Sequence, residues 1–461
     1  MKKICSIVRS LFHHELSGFI ILGLLLRIVL MPYFVWPYDI SEYQSGLAYL
    51  ISGYDPYALH ASIYPPLTHF LTFPLLRLAY QFGMSFGFHS VSEILSGTNF
   101  TGLIPMMEIS PLFLILWKTP LVCFDLATGI LVYYFVKELT SDARISKLCF
   151  IVWFFNPLTL TISSLLGSYD AATGFFILLG AFFLFKSSYF SAGFSFGLGG
   201  LTKVSPIFVA FPLAAVLLFK RGTVMVNTSR FKSNARDFLR FASGCAVPLA
   251  SFAPLVIEYT GLLSSGISKE ISITGGLNQW FFATDTLRSE WVNSNISAIQ
   301  TAFLFYPAIA LVIAILFSLF FKLDQKSILF LTALFTELIY FLFPMTVQPQ
   351  YLLWVLPLLV VLLSIAKRYV WSIIICSVAG LLFVLFVQGP QVFLYPLAMF
   401  TSLYPPQVLA ASVNNYLNLP GFFSLNLRLD LCTIFGGFGF LGLLLTTVLL
   451  LKSLWVKDDE K

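Results

Sequence analysis

The sequence predicts an all-α polytopic membrane protein, a single integral membrane domain over 1–461 with about twelve transmembrane helices and amphipathic interfacial helices in its first outer loop. Three observations predict it. Hydrophobic residues make up 58% of the chain and charged residues 10%, with mean hydropathy +0.88, whereas soluble domains hold roughly half apolar residues. Apolar runs of about 18 or more residues recur from end to end, each long enough for a bilayer. Basic residues gather in alternate connecting segments, as the positive-inside rule requires.

The expected spans lie near 16–36, 111–136, 147–164, 170–186, 189–202, 204–219, 240–258, 299–321, 328–344, 351–366, 369–388 and 431–451. The pair at 189–202 and 204–219 is short and could also read as one bent helix. Counted as two crossings, it leaves 20 of the 27 Lys and Arg residues on inner segments. Counted as one, it would turn the six-charge loop 220–240 outward. Twelve spans with both termini cytoplasmic follow. The sizeable outer segments are then about 37–110, 259–298, 345–350 and 389–430. The stretch "AYLISGYDPYALHASIYPPLTHFLTFPLLRLAY" in the first is amphipathic and broken by Pro, a pattern suited to the interface plane.

Composition also excludes. No Arg/Lys stripe of the kind a phosphate backbone needs is present, so nucleic acid is not a partner. The six cysteines (5, 123, 149, 245, 376, 432) fall in or beside apolar runs and read as packing residues without a disulfide framework. Lys2, Lys3 and Arg9 precede an apolar run with no small-residue cleavage site, which reads as a first membrane helix. The sequons at 99–101 and 295–297 fall on outer segments.

Ionisable groups inside spans are costly and mark function by default. Here they are Arg27, Lys118, Asp125, Asp170, Lys203, Glu258 and Glu337. Read with the topology, Asp39, Glu42, Asp170, Lys203 and Lys118 all fall toward the outer side, which predicts one outward-facing polar pocket. Each has a plainer reading. Asp39 and Glu42 also read as solvated loop carboxylates. Asp170 reads as a helix N-cap, and Lys203 as a snorkelling side chain. Arg27 with Asp125 reads as a structural pair, and Glu337 as a neutral packing carboxyl. His60 and His69 sit on the amphipathic outer segment. None of the histidines at 13, 14, 60, 69 and 89 has metal spacing.

Several stretches together resemble a known group. "YDISEYQSGLAYLISGYDPYALHASIYPPLTHFL" is similar to the first outer loop of GT-C glycosyltransferases that use polyprenyl-phosphate sugars: Asp39 after the first span, then Gly53 to Tyr57, then Tyr64 to Leu67. "FNPLTLTISSLLGSYDAATGFFILLGAFFLF" and "SAGFSFGLGGLTKVSPIFVAFPLAA" resemble the middle of the same proteins, and "QPQYLLWVLPLL" at 348–359 their late segment. The resemblance touches about 20–220 and 335–360, and the branch it points to is that of the catalytic subunit of GPI mannosyltransferase I with its prokaryotic counterparts. That branch carries Asp-x-Asp after the first span. Here Ser41 holds the second position and the next acid is Glu42, so no metal or other cofactor is expected.

The resemblance implies a GT-C-like bundle that moves a sugar, mannose first, from a polyprenyl phosphate to a hydroxyl of a lipid-linked or glycan acceptor, with inversion. Such a step needs a base at the acceptor hydroxyl, a role that falls to Asp39 with Glu42 beside it. The leaving phosphate needs positive charge or donors. Lys203 comes first, then Arg288, Lys118 and His69. Asp170, Tyr64, Asn156, Gln350, Tyr351 and Trp354 are the candidates for sugar and acceptor. Membrane lipids and a small membrane subunit complete the expected partners. The compartment is the plasma membrane of a prokaryote or the endoplasmic reticulum of a eukaryote, with the site on the outer or luminal face. The rival readings are a transporter or flippase of lipid-linked glycans, a polymerase or ligase of such glycans, and a noncatalytic scaffold. Convergence of Asp39, Asp170 and Lys203 in one pocket would separate them from a glycosyltransferase.

Overall fold

The computed structural model describes residues 15–36, 65–82, 110–218, 228–253, 324–341, 346–388 and 425–455, with isolated positions between 275 and 315 and at 392 and 396. Over these residues the chain is helical, apart from a two-residue parallel pairing of Gly275–Gly276 with Thr346–Val347. The early helices are α1 (Ser17–Leu30), α2 (Pro66–Gln81), α3 (Pro111–Thr140) and α4 (Ala143–Phe154). Next come α5 (Pro157–Leu160), which runs on as a π-helix over Thr161–Leu166, then α6 (Asp170–Phe185), α7 (Tyr189–Gly200), α8 (Ser205–Leu218) and α9 (Thr228–Ser251). After these come α10 (Gln325–Tyr340), α11 (Leu352–Leu363), α12 (Tyr369–Phe383) and α13 (Leu425–Trp455).

Local sequence sets the boundaries. Ser110 caps α3 by accepting from Phe113 N at 3.2 Å, with Pro111 at the first position. Asp142 caps α4 through Arg144 N and Ile145 N. Asn156 accepts from Leu158 N at 2.9 Å and Pro157 opens α5. That cap breaks the expected 147–164 span into α4 and α5, bent by 46°.

Among the described residues, three helices are long and apolar enough to cross a membrane: Pro111–Thr140, Tyr369–Phe386 and Thr433–Leu450. The bent pair Ala143–Phe154 with Pro157–Leu166 makes a fourth if it is one span. The other crossings of the twelve expected are not shown among the described residues, and the expected span at 299–321 lies largely outside them. Four more expected spans appear as shorter apolar helices, Ser17–Leu30, Asp170–Phe185, Ser205–Leu218 and Pro349–Leu363. At 1.5 Å per residue, 14 to 16 residues cover about 21–24 Å, less than the roughly 30 Å hydrocarbon thickness. The 189–219 stretch is two separate helices, α7 and α8, joined by a turn at 201–204.

The core centres on α11, in which every residue from Leu352 to Leu362 is buried. A helix apolar on all sides belongs inside a bundle, and α6 lies against it closely. A Cβ on Gly174 would sit 2.2 Å from Leu353 O. Outward faces are apolar too. On α1, Gly23 and Arg27 point inward while Ile21, Leu22, Leu25, Leu26, Ile28 and Val29 are exposed. Helix α2 reverses ordinary amphipathicity: Thr68, His69 and Thr72 turn inward, and Phe70, Leu75 and Leu78 are exposed. Both patterns suit lipid surroundings better than water.

The helices share two ends. Lys186 Nζ lies 2.5 Å from Glu138 Oε1, and Lys326 Nζ lies 4.7 Å over the Phe185 ring. These contacts gather the C-termini of α3 and α6 and the start of α10 at one end. The start of α6, the α7–α8 turn and the start of α11 meet at the other, through the contacts described below.

Helix α7 packs on α9 through small residues, in the manner of G-x-x-x-G contacts. A Cβ on Gly193 would lie 1.9 Å from Phe241 O, one on Gly197 2.6 Å from Cys245 O, and one on Gly244 2.1 Å from Phe190 O. Backbone atoms cannot turn aside as a side chain can, so Gly193→Leu is expected to cost at least about 3 kcal/mol, the upper range for overpacking. Gly18, with nothing within 4 Å of its Cβ position, is the control. Thermal unfolding in detergent should show a clear loss for Gly193→Leu and no change for Gly18→Leu.

Candidate functional site

Asp170 is the centre of the buried polar cluster at the second end. It is the first residue of α6, yet it does not cap that helix: the cap position is Tyr169, with no side-chain capping bond. The N-cap reading of Asp170 is therefore corrected. Its carboxylate, 1% exposed, accepts from Ser168 Oγ at 2.5 Å and from Trp354 Nε1 at 2.8 Å. Lys203 Nζ lies 3.2 Å from Oδ1. Three elements thus converge on one carboxylate: the loop before α6, the α7–α8 turn and the start of α11.

Lys203 does not snorkel away. Its ammonium sits 4.1 Å from the centroid of Tyr351 and 5.4 Å from that of Trp354, over two rings stacked at 4.5 Å. Cation–π contact adds about 2 kcal/mol where water is excluded. The Lys203 side chain keeps 15% exposure, so an anion can reach it while Asp170 stays covered. Gln350, next to Tyr351, is buried, and its Oε1 has no hydrogen-bond partner among the described residues. Thr173 pairs with Thr202 at 2.9 Å, and Thr72 of α2 with the Tyr169 hydroxyl at 2.6 Å. Leu67 N donates to Leu201 O at 3.1 Å, fixing α2 beside the α7–α8 turn.

Helix α3 holds the approach to Asp170. Trp117 Nε1 donates to Gly167 O at 3.2 Å. Lys118 Nζ donates to Met31 O at 2.9 Å, to Leu165 O at 3.0 Å and to Phe34 O. Three carbonyls match the three N–H groups of an ammonium, and the residue is fully buried. Lys118 therefore binds backbone on both sides: the chain leaving α1 toward Asp39, and the π-helix leading to Asp170. Asp125 Oδ2 accepts from Arg27 Nη2 at 2.6 Å and from Ser163 Oγ at 2.9 Å, and Arg27 also donates to Phe154 O at 2.8 Å. Arg27 and Asp125 form the intramembrane pair that the sequence reading expected. π-Turns recur at functional sites, and this one ends at Gly167 with φ +74°, where only glycine is at ease.

Of the sequence-derived candidates, Asp170, Lys203, Tyr351 and Trp354 come together, with Gln350 adjoining. Asn156 is engaged elsewhere: Oδ1 caps α5 and Nδ2 donates to Ser377 Oγ at 2.7 Å. Glu337 accepts from Ser205 Oγ at 3.0 Å, so a packing carboxyl ties α10 to the start of α8. His69 stacks on Phe73 at 4.6 Å, and burial pushes its imidazole down to about 3, leaving it uncharged at neutral pH. Asp39, Glu42, Tyr64 and Arg288 lie outside the described residues. Sequence reasoning missed Ser168, Trp117 and Ser163. The first carried a signal, a hydroxyl two residues before a suspect carboxylate. Among the described residues no three His, Cys, Asp or Glu side chains group as a metal site.

No protein-family model matches the sequence. Over 183 residues the chain is 26% identical to GPI mannosyltransferase 1 of Saccharomyces cerevisiae, an alignment covering 40% of this chain and 37% of the yeast protein. The matched part is thus well under half of the relative's length.

Two outcomes follow from the site. Lys118→Met keeps the length of the side chain but leaves three buried carbonyls without donors, each costing about 1–3 kcal/mol. It should be markedly less stable in detergent than Lys367→Met, which alters a surface turn. His69, neutral in the folded chain, contributes stability that is fully present above its unfolded value of 6.5 and lost as pH falls toward about 3. Unfolding midpoints measured across that range should fall less steeply in His69→Phe.

Proposed function

We propose that this chain is a glycosyltransferase of the GT-C kind, which moves a sugar, mannose first, from a polyprenyl phosphate to a hydroxyl of a lipid-linked or glycan acceptor. The reading rests on one observation above the others: a partly open ammonium, Lys203, held by a buried carboxylate over two stacked aromatic rings at one end of an apolar helical bundle. Such an assembly can meet a lipid phosphate at a membrane surface and a sugar ring beside it. The partial similarity to a mannosyltransferase supports the same class.

In this scheme the acceptor oxygen bonds to the anomeric carbon as the bond from that carbon to the phosphate oxygen breaks, with inversion. The acceptor proton passes to the Asp39 carboxylate, with Glu42 adjacent. The departing polyprenyl phosphate gains negative charge, which Lys203 neutralises, and Arg288 and His69 are further donors to it. As the phosphate draws Lys203 toward itself, an oxygen of Asp170 is freed to accept from a sugar hydroxyl. Tyr351, Trp354 and Tyr64 offer ring faces, and Gln350 Oε1 an unused acceptor. Asn156 supports the bundle behind them. The reaction takes place on the outer or luminal face.

Sugar transfer from radiolabelled polyprenyl-phosphate mannose tests this, in membranes carrying equal amounts of each variant. Wild type is expected to transfer, Asp39→Asn to lose at least about a hundredfold, and Lys203→Gln about a hundredfold or more. Full activity in Asp39→Asn would remove it as the base. Absence of transfer from every polyprenyl-phosphate sugar tried would favour the transporter or scaffold reading.

A further inference from the structure

Helix α9 carries charges that the candidate site does not use. Lys232, Arg236 and Arg240 are all exposed and recur every four residues, so they line up over only about 12 Å of one helix face. Several other basic side chains at the same end of the bundle are engaged within the protein. Lys186 pairs with Glu138, and Lys326, Lys147 and Lys137 lie over the rings of Phe185, Phe19 and Tyr133. The three on α9 have no ion pair or ring contact among the described residues.

The level of the stripe is fixed by packing. Gly193 faces Phe241 and Cys245, and Gly197 faces Cys245 and Pro248, so α7 and α9 run parallel. Arg240 therefore stands beside the first turn of α7, and Arg236 and Lys232 lie about one and two turns beyond it. The inner side of this half of α9 is held by the bundle. Asn234 and Asp237 are buried, and Asn234 Nδ2 donates to Leu218 O at the end of α8. The same outward face changes character past Arg240: its next exposed positions are Ser243, Ala246, Val247 and Ala250, all uncharged. One helix face thus passes from basic to uncharged at the level where the apolar helix α6 ends.

We infer that Lys232, Arg236 and Arg240 form a binding surface for anionic phospholipid headgroups, in the leaflet at the bundle end remote from Asp170. The uncharged continuation of the face meets acyl chains, and the basic part spans the headgroup layer, where negative lipids attract Lys and Arg. A soluble acidic protein would need no such change of character along the face. The inference does not depend on sugar transfer.

The test uses the full chain reconstituted in bilayers, with spin-labelled phosphatidylglycerol and phosphatidylcholine as probes of the lipid in contact with protein. Wild type is expected to hold phosphatidylglycerol over phosphatidylcholine at least about threefold at low salt, and less at 0.5 M salt, where charge is screened to about 4 Å or less. K232Q/R236Q/R240Q should approach parity, the charge-keeping K232R/R236K/R240K should retain the preference, and K203Q should retain it. Parity in wild type overturns the inference, whatever the variants do. So does an undiminished preference in the triple Gln variant, or a preference lost in K203Q instead. Should the triple variant fail to insert, R236Q alone is expected to weaken the preference, and an unchanged value there counts against the surface.

Discussion

The carboxylate of Asp170 must be satisfied where water is scarce, and that requirement organises one end of the molecule. A buried carboxylate without partners is costly enough to abolish its own charge. Here Ser168, Trp354 and Lys203 supply the donors, and each comes from a different element. The loop before α6, the turn between α7 and α8, and the start of α11 are thereby fixed to one another. The stacked Tyr351 and Trp354 rings then hold the ammonium in place. Lys203 is more exposed than its partner, so in the proposed reaction it is the group that faces the anion.

Behind this cluster, α3 serves as a rail. Trp117, Lys118 and Asp125 engage Gly167, Leu165 and Ser163 in turn, so alternate residues of one short segment are gripped from one side. The wider π-turn brings those groups into reach. Lys118 also holds Met31 and Phe34, so the same ammonium sets the start of the segment that carries Asp39. Charges inside the bundle thus have two kinds of work. Arg27, Asp125 and Lys118 hold backbone and one another, and Lys203 alone of these keeps part of its surface open.

Much of the local structure was legible in the residues. Ser110 with Pro111, Asp142, and Asn156 with Pro157 are start signals, and helices begin at each. Among the described residues the apolar runs became helices at the expected places, though several are shorter than a bilayer. Local backbone signals such as the turn at 201–204 cut them, and no sum over a hydropathy window shows this. Two of the intramembrane charges the sequence singled out, Asp170 and Lys203, meet in the folded chain. Asn156 looked like a sugar-binding amide, but its side chain is occupied by a cap and by Ser377, 221 positions away. A one-dimensional reading has no way to count partners that distant.

The sequence by itself determined that this chain is apolar, helical and suited to a membrane, because hydrophobic content and capping residues act over a few positions at a time. It also marked which charged residues needed an explanation. Only the tertiary structure decided what each charge does, because a charge in an apolar bundle takes its meaning from the donors and acceptors within about 3 Å. Lys118 and Lys203 are the same residue type in similar surroundings of sequence. One meets three carbonyls and is closed, and the other meets one carboxylate and two rings and stays open.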